Sequence, residues 1–155
     1  MKRLLKILKR FLVFNKQYDF YLAGAMSGCK DHNYPVFMKY ANILRQLGYT
    51  ICNPAELNVI GTPSNECMTN DLNAIINQCK NVVLLPGSIW RNSVGVNIEV
   101  SVAHVCGKRV YHIFENKSGS ITLKRFYTKD IRPYCNNKNK YRNDSAYIKF
   151  LNSLD

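Results

Sequence analysis

Apolar and polar positions change rhythm several times between residues 18 and 116. Phe20-Tyr21-Leu22-Ala23 is a continuous apolar run ended by Gly24, the pattern of a strand entering a tight loop. From Pro35, apolar residues recur at helical spacing (Val36, Phe37, Tyr40, Ile43, Leu44, Leu47) until Gly48 closes the stretch. Tyr49-Thr50-Ile51-Cys52 reads as a short strand stopped by Asn53-Pro54. Met68, Leu72, Ile75, Ile76 and Cys79 share one face of a second helix. Val82-Val83-Leu84-Leu85 is the unbroken apolar run of a strand buried on both faces, and Pro86-Gly87 ends it. Ser93 is the expected N-cap of a third helix that stops at Gly107. Arg109-Val110-Tyr111-His112-Ile113-Phe114 makes a fourth strand.

The order β-α-β-α-β-α-β with short connections predicts an open parallel sheet covered by helices on both faces. This is a Rossmann-like or flavodoxin-like three-layer α/β/α architecture. In such folds the ligand crevice lies beyond the carboxyl ends of the strands, which singles out loops 24–34, 53–64 and 86–93. After Phe114 the pattern weakens. Residues 136–143 read as a solvated loop, 145–153 as a short terminal helix, and no internal repeat is present.

Charge changes this picture only at the ends. The 155 residues carry 22 Lys and Arg against 10 Asp and Glu, a formal net charge of +12. An excess of that size points first to nucleic acid. Yet residues 1–17 hold six bases and no acid, residues 117–155 hold nine bases and three acids, and residues 18–116 are neutral. The chain divides accordingly into a basic extension (1–17), a neutral domain (18–116) and a second basic extension (117–155). Leu4, Leu5, Leu8, Phe11 and Leu12 among the N-terminal bases suit either an amphipathic helix on anionic lipid or nucleic acid, or a surface-packed extension. Lys6, Lys9 and Arg10 interrupt every apolar stretch there, so no signal peptide is expected, and no segment approaches a membrane span. The six cysteines are irregularly spaced, with neither CxxC nor zinc-ligand spacing, and are read as reduced thiols of a cytoplasmic protein.

Two acids stand where a solvated charge is not normally placed. Asp71 borders the apolar stripe of the second helix, beside Met68 and Ile75. Glu99 has Gly95, Val96, Val102 and Ala103 as its helical neighbours. Such acids either find partners at an interface or on the backbone, or work as carboxylates with raised pKa. Tyr21, near the end of the first strand, fits the core or reaches the crevice. Ser93 with Gly95 opens the third helix, where N–H groups and the dipole suit a phosphate or sugar hydroxyl as well as a plain cap. The loop Gly24-Ala25-Met26-Ser27-Gly28 is glycine-rich but matches neither GxGxxG nor a Walker A pattern. His32, His104 and His112 form no triad or metal set and are assigned to core or surface.

Taken in order, four motifs resemble the nucleoside 2-deoxyribosyltransferase-like superfamily, and within it a phage and bacterial branch. They are Tyr21-Leu22-Ala23-Gly24-Ala25-Met26-Ser27-Gly28; Asn53-Pro54-Ala55-Glu56-Leu57; Asp71-Leu72 ahead of Val82-Val83-Leu84-Leu85-Pro86-Gly87; and Trp90-Arg91-Asn92-Ser93-Val94-Gly95 with Glu99. The resemblance covers about residues 18–114. It implies cleavage or exchange of the N-glycosidic bond of a (deoxy)nucleoside or its 5'-monophosphate, with no cofactor and no metal. Glu99 matches the nucleophile that attacks C1', Asp71 the acid on the nucleobase side, and Tyr21 the tyrosine that orients the nucleophile. Ser93 matches the serine that holds a 5'-phosphate in the superfamily's 2'-deoxynucleoside 5'-phosphate N-hydrolases, and Gly24, Met26, Ser27, Gly95 and Arg91 join it as expected substrate contacts. The hydrolases carry a Ser and an Arg in the loop after the first glycine; Ala25 and Ser27 stand there, and Arg91 is the nearby replacement. The resemblance also implies homo-oligomers. The alternative is a nucleotide-binding module without turnover, with nucleic-acid or anionic-membrane contact through the basic ends.

Overall fold

The computed structural model describes residues 17–87 and 89–127. The N-terminal amphipathic helix, the 136–143 loop and the 145–153 helix expected from sequence lie outside the described residues. Strand β1 (Tyr18–Ala23) leads through a loop and the 3₁₀ turn Lys30–Asn33 into helix α1 (Tyr34–Gln46). Strand β2 (Ile51–Cys52), the one-turn helix α2 (Pro54–Leu57) and helix α3 (Ser64–Asn77) follow. Then come β3 (Cys79–Leu84), the 3₁₀ turn Ile89–Asn92, α4 (Val94–Val105), β4 (Arg109–Glu115) and β5 (Ile121–Phe126). The sheet order is β2-β1-β3-β4-β5, with the first four strands parallel. It is an open, mostly parallel α/β sheet with helices on both faces.

Alternation along the strands builds the three layers. Tyr21 pairs in register with Cys52 and Val82, and Val82 with Val110, so one row crosses four strands. With Ala23 and Leu84 this row packs under α3 and α4, against Ala74, Ile75, Val96 and Ile98. Phe20, Leu22, Val83, Leu85 and Ile113 face the other way, under Phe37, Tyr40, Ala41 and Leu44 of α1. Helix α4 is buried around most of its circumference, as its apolar composition requires.

Three details differ from the expectation. Cys79 does not extend the helical face: α3 ends at Asn77, and Cys79 opens β3 by pairing with Tyr18. The strand expected over 49–52 contracts to Ile51–Cys52, because the Tyr49 N–H is taken by Leu44 at the end of α1. The sheet also continues past residue 116, since β5 runs antiparallel to β4 and is, among the described residues, the one strand that is not parallel. Its hairpin is built by Asn116, whose Oδ1 accepts from the N–H groups of Ser118 and Ser120, and by Gly119 at φ +82°. No helix among the described residues is long and apolar enough to cross a membrane.

Candidate active site

The carboxyl half of β1 points Tyr21 into the layer of α3 and α4, where it is fully buried. Its hydroxyl donates to Glu99 Oε1 at 2.9 Å. Glu99, on the inner face of α4, is 6% exposed, and its second oxygen, Oε2, is buried with no hydrogen-bond partner. A buried acceptor left open costs about 1–3 kcal/mol, so this oxygen is a place where the fold leaves an interaction unmade. Asp71 on α3 is 7% exposed, and its Oδ1 accepts from Asn58 Nδ2 at 2.9 Å. Asn58 Oδ1 in turn accepts from Asn70 Nδ2 at 3.0 Å. One tyrosine and two carboxylates from three separate elements thus meet in a dry layer.

Burial sets the protonation of this group. It pushes the Asp71 carboxyl up from 3.8 to about 6, against the opposing pull of the Asn58 hydrogen bond and the nearby Tyr21 hydroxyl. Burial, with the negative field of Asp71 added, holds Glu99 well above the usual carboxylate range; the Tyr21 hydroxyl opposes that. The Tyr21 phenol is itself pushed well above 10 by burial and by the two acids, so it stays a donor. Near neutral pH the carboxylate pair therefore carries one proton and one negative charge, and burial favours the proton on Glu99. Tyr21 has a single hydroxyl proton, which supports one carboxylate at a time.

The remaining expected residues fall into two groups. Ser93 caps α4, its Oγ accepting from Val96 N–H at 3.4 Å. Asn97 ties down the approach to that helix, donating from Nδ2 to the carbonyls of Ser93 (2.8 Å) and Arg91 (3.2 Å). Arg91 is exposed, with its guanidinium 4.6 Å from the centroid of Trp90. A Cβ on Gly95 would come within 3.3 Å of Met68 Cε, so this glycine lets α4 approach α3 closely. The first loop behaves differently. A Cβ on Gly24 would lie 2.4 Å from Leu85 Cδ1 and 3.0 Å from Phe37 Cζ, and Met26 packs on that same α1 side of the sheet. Both residues are thus occupied in packing away from Tyr21 and Glu99, while Ser27 is exposed. The turn that follows holds Asp31, His32 and Asn33 at positive φ, and Asn33 Nδ2 ties it to the carbonyl of Ala25 at 2.9 Å. Each such residue costs about 1–2 kcal/mol, so the loop is held in place by its surroundings.

Asn58 and Asn70 were not foreseen. Asn58 lies in the loop beyond β2 that the strand-end rule singled out, but an asparagine in a loop has no periodic signature. A groove of about 490 Å³ along β2 is lined by Tyr18, Arg45, Tyr49, Asn53 and Glu56 among others and includes none of the expected site residues. The Arg45–Glu56 ion pair already occupies its polar wall. Among the described residues no three His, Cys, Asp or Glu side chains are grouped so as to hold a metal ion.

The fold and these residues define a class: an α/β domain with two buried carboxylates and a tyrosine on one face of a mostly parallel sheet. Residues 18–112 match a family described as a domain of unknown function (DUF4406), and the chain belongs to that family. No curated protein and no solved structure matches it.

Proposed function

We propose that this chain cleaves the N-glycosidic bond of a (deoxy)nucleoside or its 5'-monophosphate through a covalent glycosyl-Glu99 intermediate. The observation that carries the reading is the Glu99 carboxylate, oriented by Tyr21, with a buried unpartnered oxygen beside a second carboxylate whose pKa lies near 6. Two carboxylates that share one proton suit a retaining glycosyl transfer, one as nucleophile and the other as acid and base. Glu99 attacks C1', the C1'–N bond breaks, and Asp71 gives its proton to the departing base. Water, or a second base in an exchange, then attacks C1'; Asp71 takes its proton and Glu99 is released. The attack needs the shared proton on Asp71, whereas burial alone favours Glu99. A sugar hydroxyl donating to Oε2 and the Tyr21 hydroxyl on Oε1 both stabilise the Glu99 carboxylate and supply the difference.

Ser93 and Arg91, with the N–H groups that open α4, are the proposed contacts of a 5'-phosphate, with Gly95 beside them. Ser27, exposed on the first loop, is a further proposed contact. We place the reaction in the cytoplasm, in a homo-oligomer, without cofactor. The basic ends supply a separate contact with nucleic acid or anionic membrane; its affinity falls steeply with salt and survives Glu99→Gln. The test is incubation of the full chain with each deoxynucleoside and each monophosphate, followed by detection of free base. Base release lost in Glu99→Gln supports the reading. Nucleotide-dependent thermal stabilisation with no base from any substrate selects the non-catalytic binding module instead.

A further inference from the structure

We propose that Asn58 is a positioning residue that fixes which oxygen of Asp71 carries its proton; the role in turnover rests on the glycosidic reading above. Asn58 follows α2 directly, and its backbone N–H donates to Pro54 O at 3.0 Å, which pins its Cα at the end of that turn. Its side chain is buried. Asn70, the neighbour of Asp71 on α3, donates to Asn58 Oδ1 at 3.0 Å. That bond commits the Asn58 carbonyl oxygen to Asn70 and turns the NH₂ group to Asp71 Oδ1, 2.9 Å away.

An amide NH₂ only donates. Asp71 Oδ1 must therefore accept whether the acid is charged or neutral, and an oxygen that carries the proton is the poorer acceptor of the two. The acidic proton is confined to Oδ2. Asp71 then exchanges its proton through one oxygen throughout a reaction cycle, as an acid that must later act as base requires. The same donor favours the ionised carboxylate and holds the titration of Asp71 below the point to which burial alone would carry it. The titratable groups facing Asp71 are Tyr21 from β1, Glu99 from α4 and Cys67 on its own helix. Burial pushes Tyr21 and Cys67 up and keeps them neutral, so Glu99 is the neighbour with which Asp71 shares its proton. The loop beyond β2 contributes the uncharged Asn58.

The test follows the Asp71 carboxyl carbon by ¹³C NMR across pH in the full chain, for wild type, Asn58→Leu and Asn70→Ala. Asn58→Leu keeps the volume and removes the donor; the Asp71 midpoint is expected to rise by about one pH unit. Asn70→Ala, at a half-exposed helical position, leaves Asn58 in place but unlocks its amide, and the midpoint rises by less. In wild type the Asn58 amide protons shift in step with Asp71. An unmoved midpoint in folded Asn58→Leu overturns the assignment. Should that variant fail to fold, an unmoved midpoint in Asn70→Ala does the same, as do Asn58 amide protons that ignore the titration. In turnover, Asn58→Leu lowers kcat about tenfold at little change in KM and moves the limb of the pH profile assigned to Asp71. A midpoint that moves while wild type releases no base sinks the glycosidic reading and spares Asn58. Base release with an unmoved midpoint does the reverse.

Discussion

Replacing Asp71 by Asn should make the protein more stable above neutral pH while abolishing turnover. The carboxyl of Asp71 titrates at about 6 in the folded protein against an ordinary value of 3.8. Between those values the native state holds a proton that the unfolded chain has released. The contribution of Asp71 to stability is therefore greatest below about pH 4, falls as pH rises through the window to 6, and stays reduced above it. The gap is about 2 pH units, worth about 3 kcal/mol at about 1.4 kcal/mol per unit. Asparagine is neutral throughout, and its Oδ1 still accepts from Asn58. The assay is urea unfolding at pH 4 to 8, followed through the single Trp90, buried beside β4 and β5. The variant should gain on the order of 2–3 kcal/mol over wild type at pH 8, and the two should converge near pH 4. Parallel curves across that range, or a variant less stable at pH 8, would refute the account of a buried, burial-strained carboxylate.

Tyr21→Phe removes the hydrogen bond on Glu99 Oε1 and with it support for the carboxylate. The acid limb of kcat/KM should move up by about one pH unit, with a 10–100-fold loss near pH 6 and a stability change within about 1 kcal/mol; a fixed limb counts against the orienting role. Ser93→Ala costs about 1 kcal/mol of stability through the lost cap. It should also raise KM for a monophosphate while leaving that for the nucleoside alone, and equal changes in both would remove the phosphate role. Gly24→Ala drives a methyl into Leu85 and Phe37 and should lower the unfolding free energy, read by urea denaturation, by about 1–3 kcal/mol. A neutral result there would mean that the loop yields and that packing does not require the glycine.

Sequence periodicity determined the layered α/β architecture, because strands buried on both faces and amphipathic helices leave two unmistakable rhythms in the chain. The same reasoning picked out Glu99 and Asp71, since an acid among Gly95, Val96, Val102 and Ala103 breaks its local pattern. It missed β5, whose half-buried Ile121 and Leu123 alternate with exposed Thr122 and Lys124 beyond a hairpin held by a side chain, Asn116, that has no period of its own. It misassigned Cys79 because one apolar residue fits equally at the end of a helical stripe and at the start of a strand. Tertiary structure alone decided that Tyr21 meets Glu99 across 78 residues of chain, that Asp71 adds its charge to the same buried layer, and that Asn58 and Asn70 stand behind it. Periodicity reports which face of an element is dry; it carries no information on which dry faces are brought together. The shared proton of the carboxylate pair depends on that meeting, because its energy comes from burial and a neighbouring charge that exist only in the folded chain.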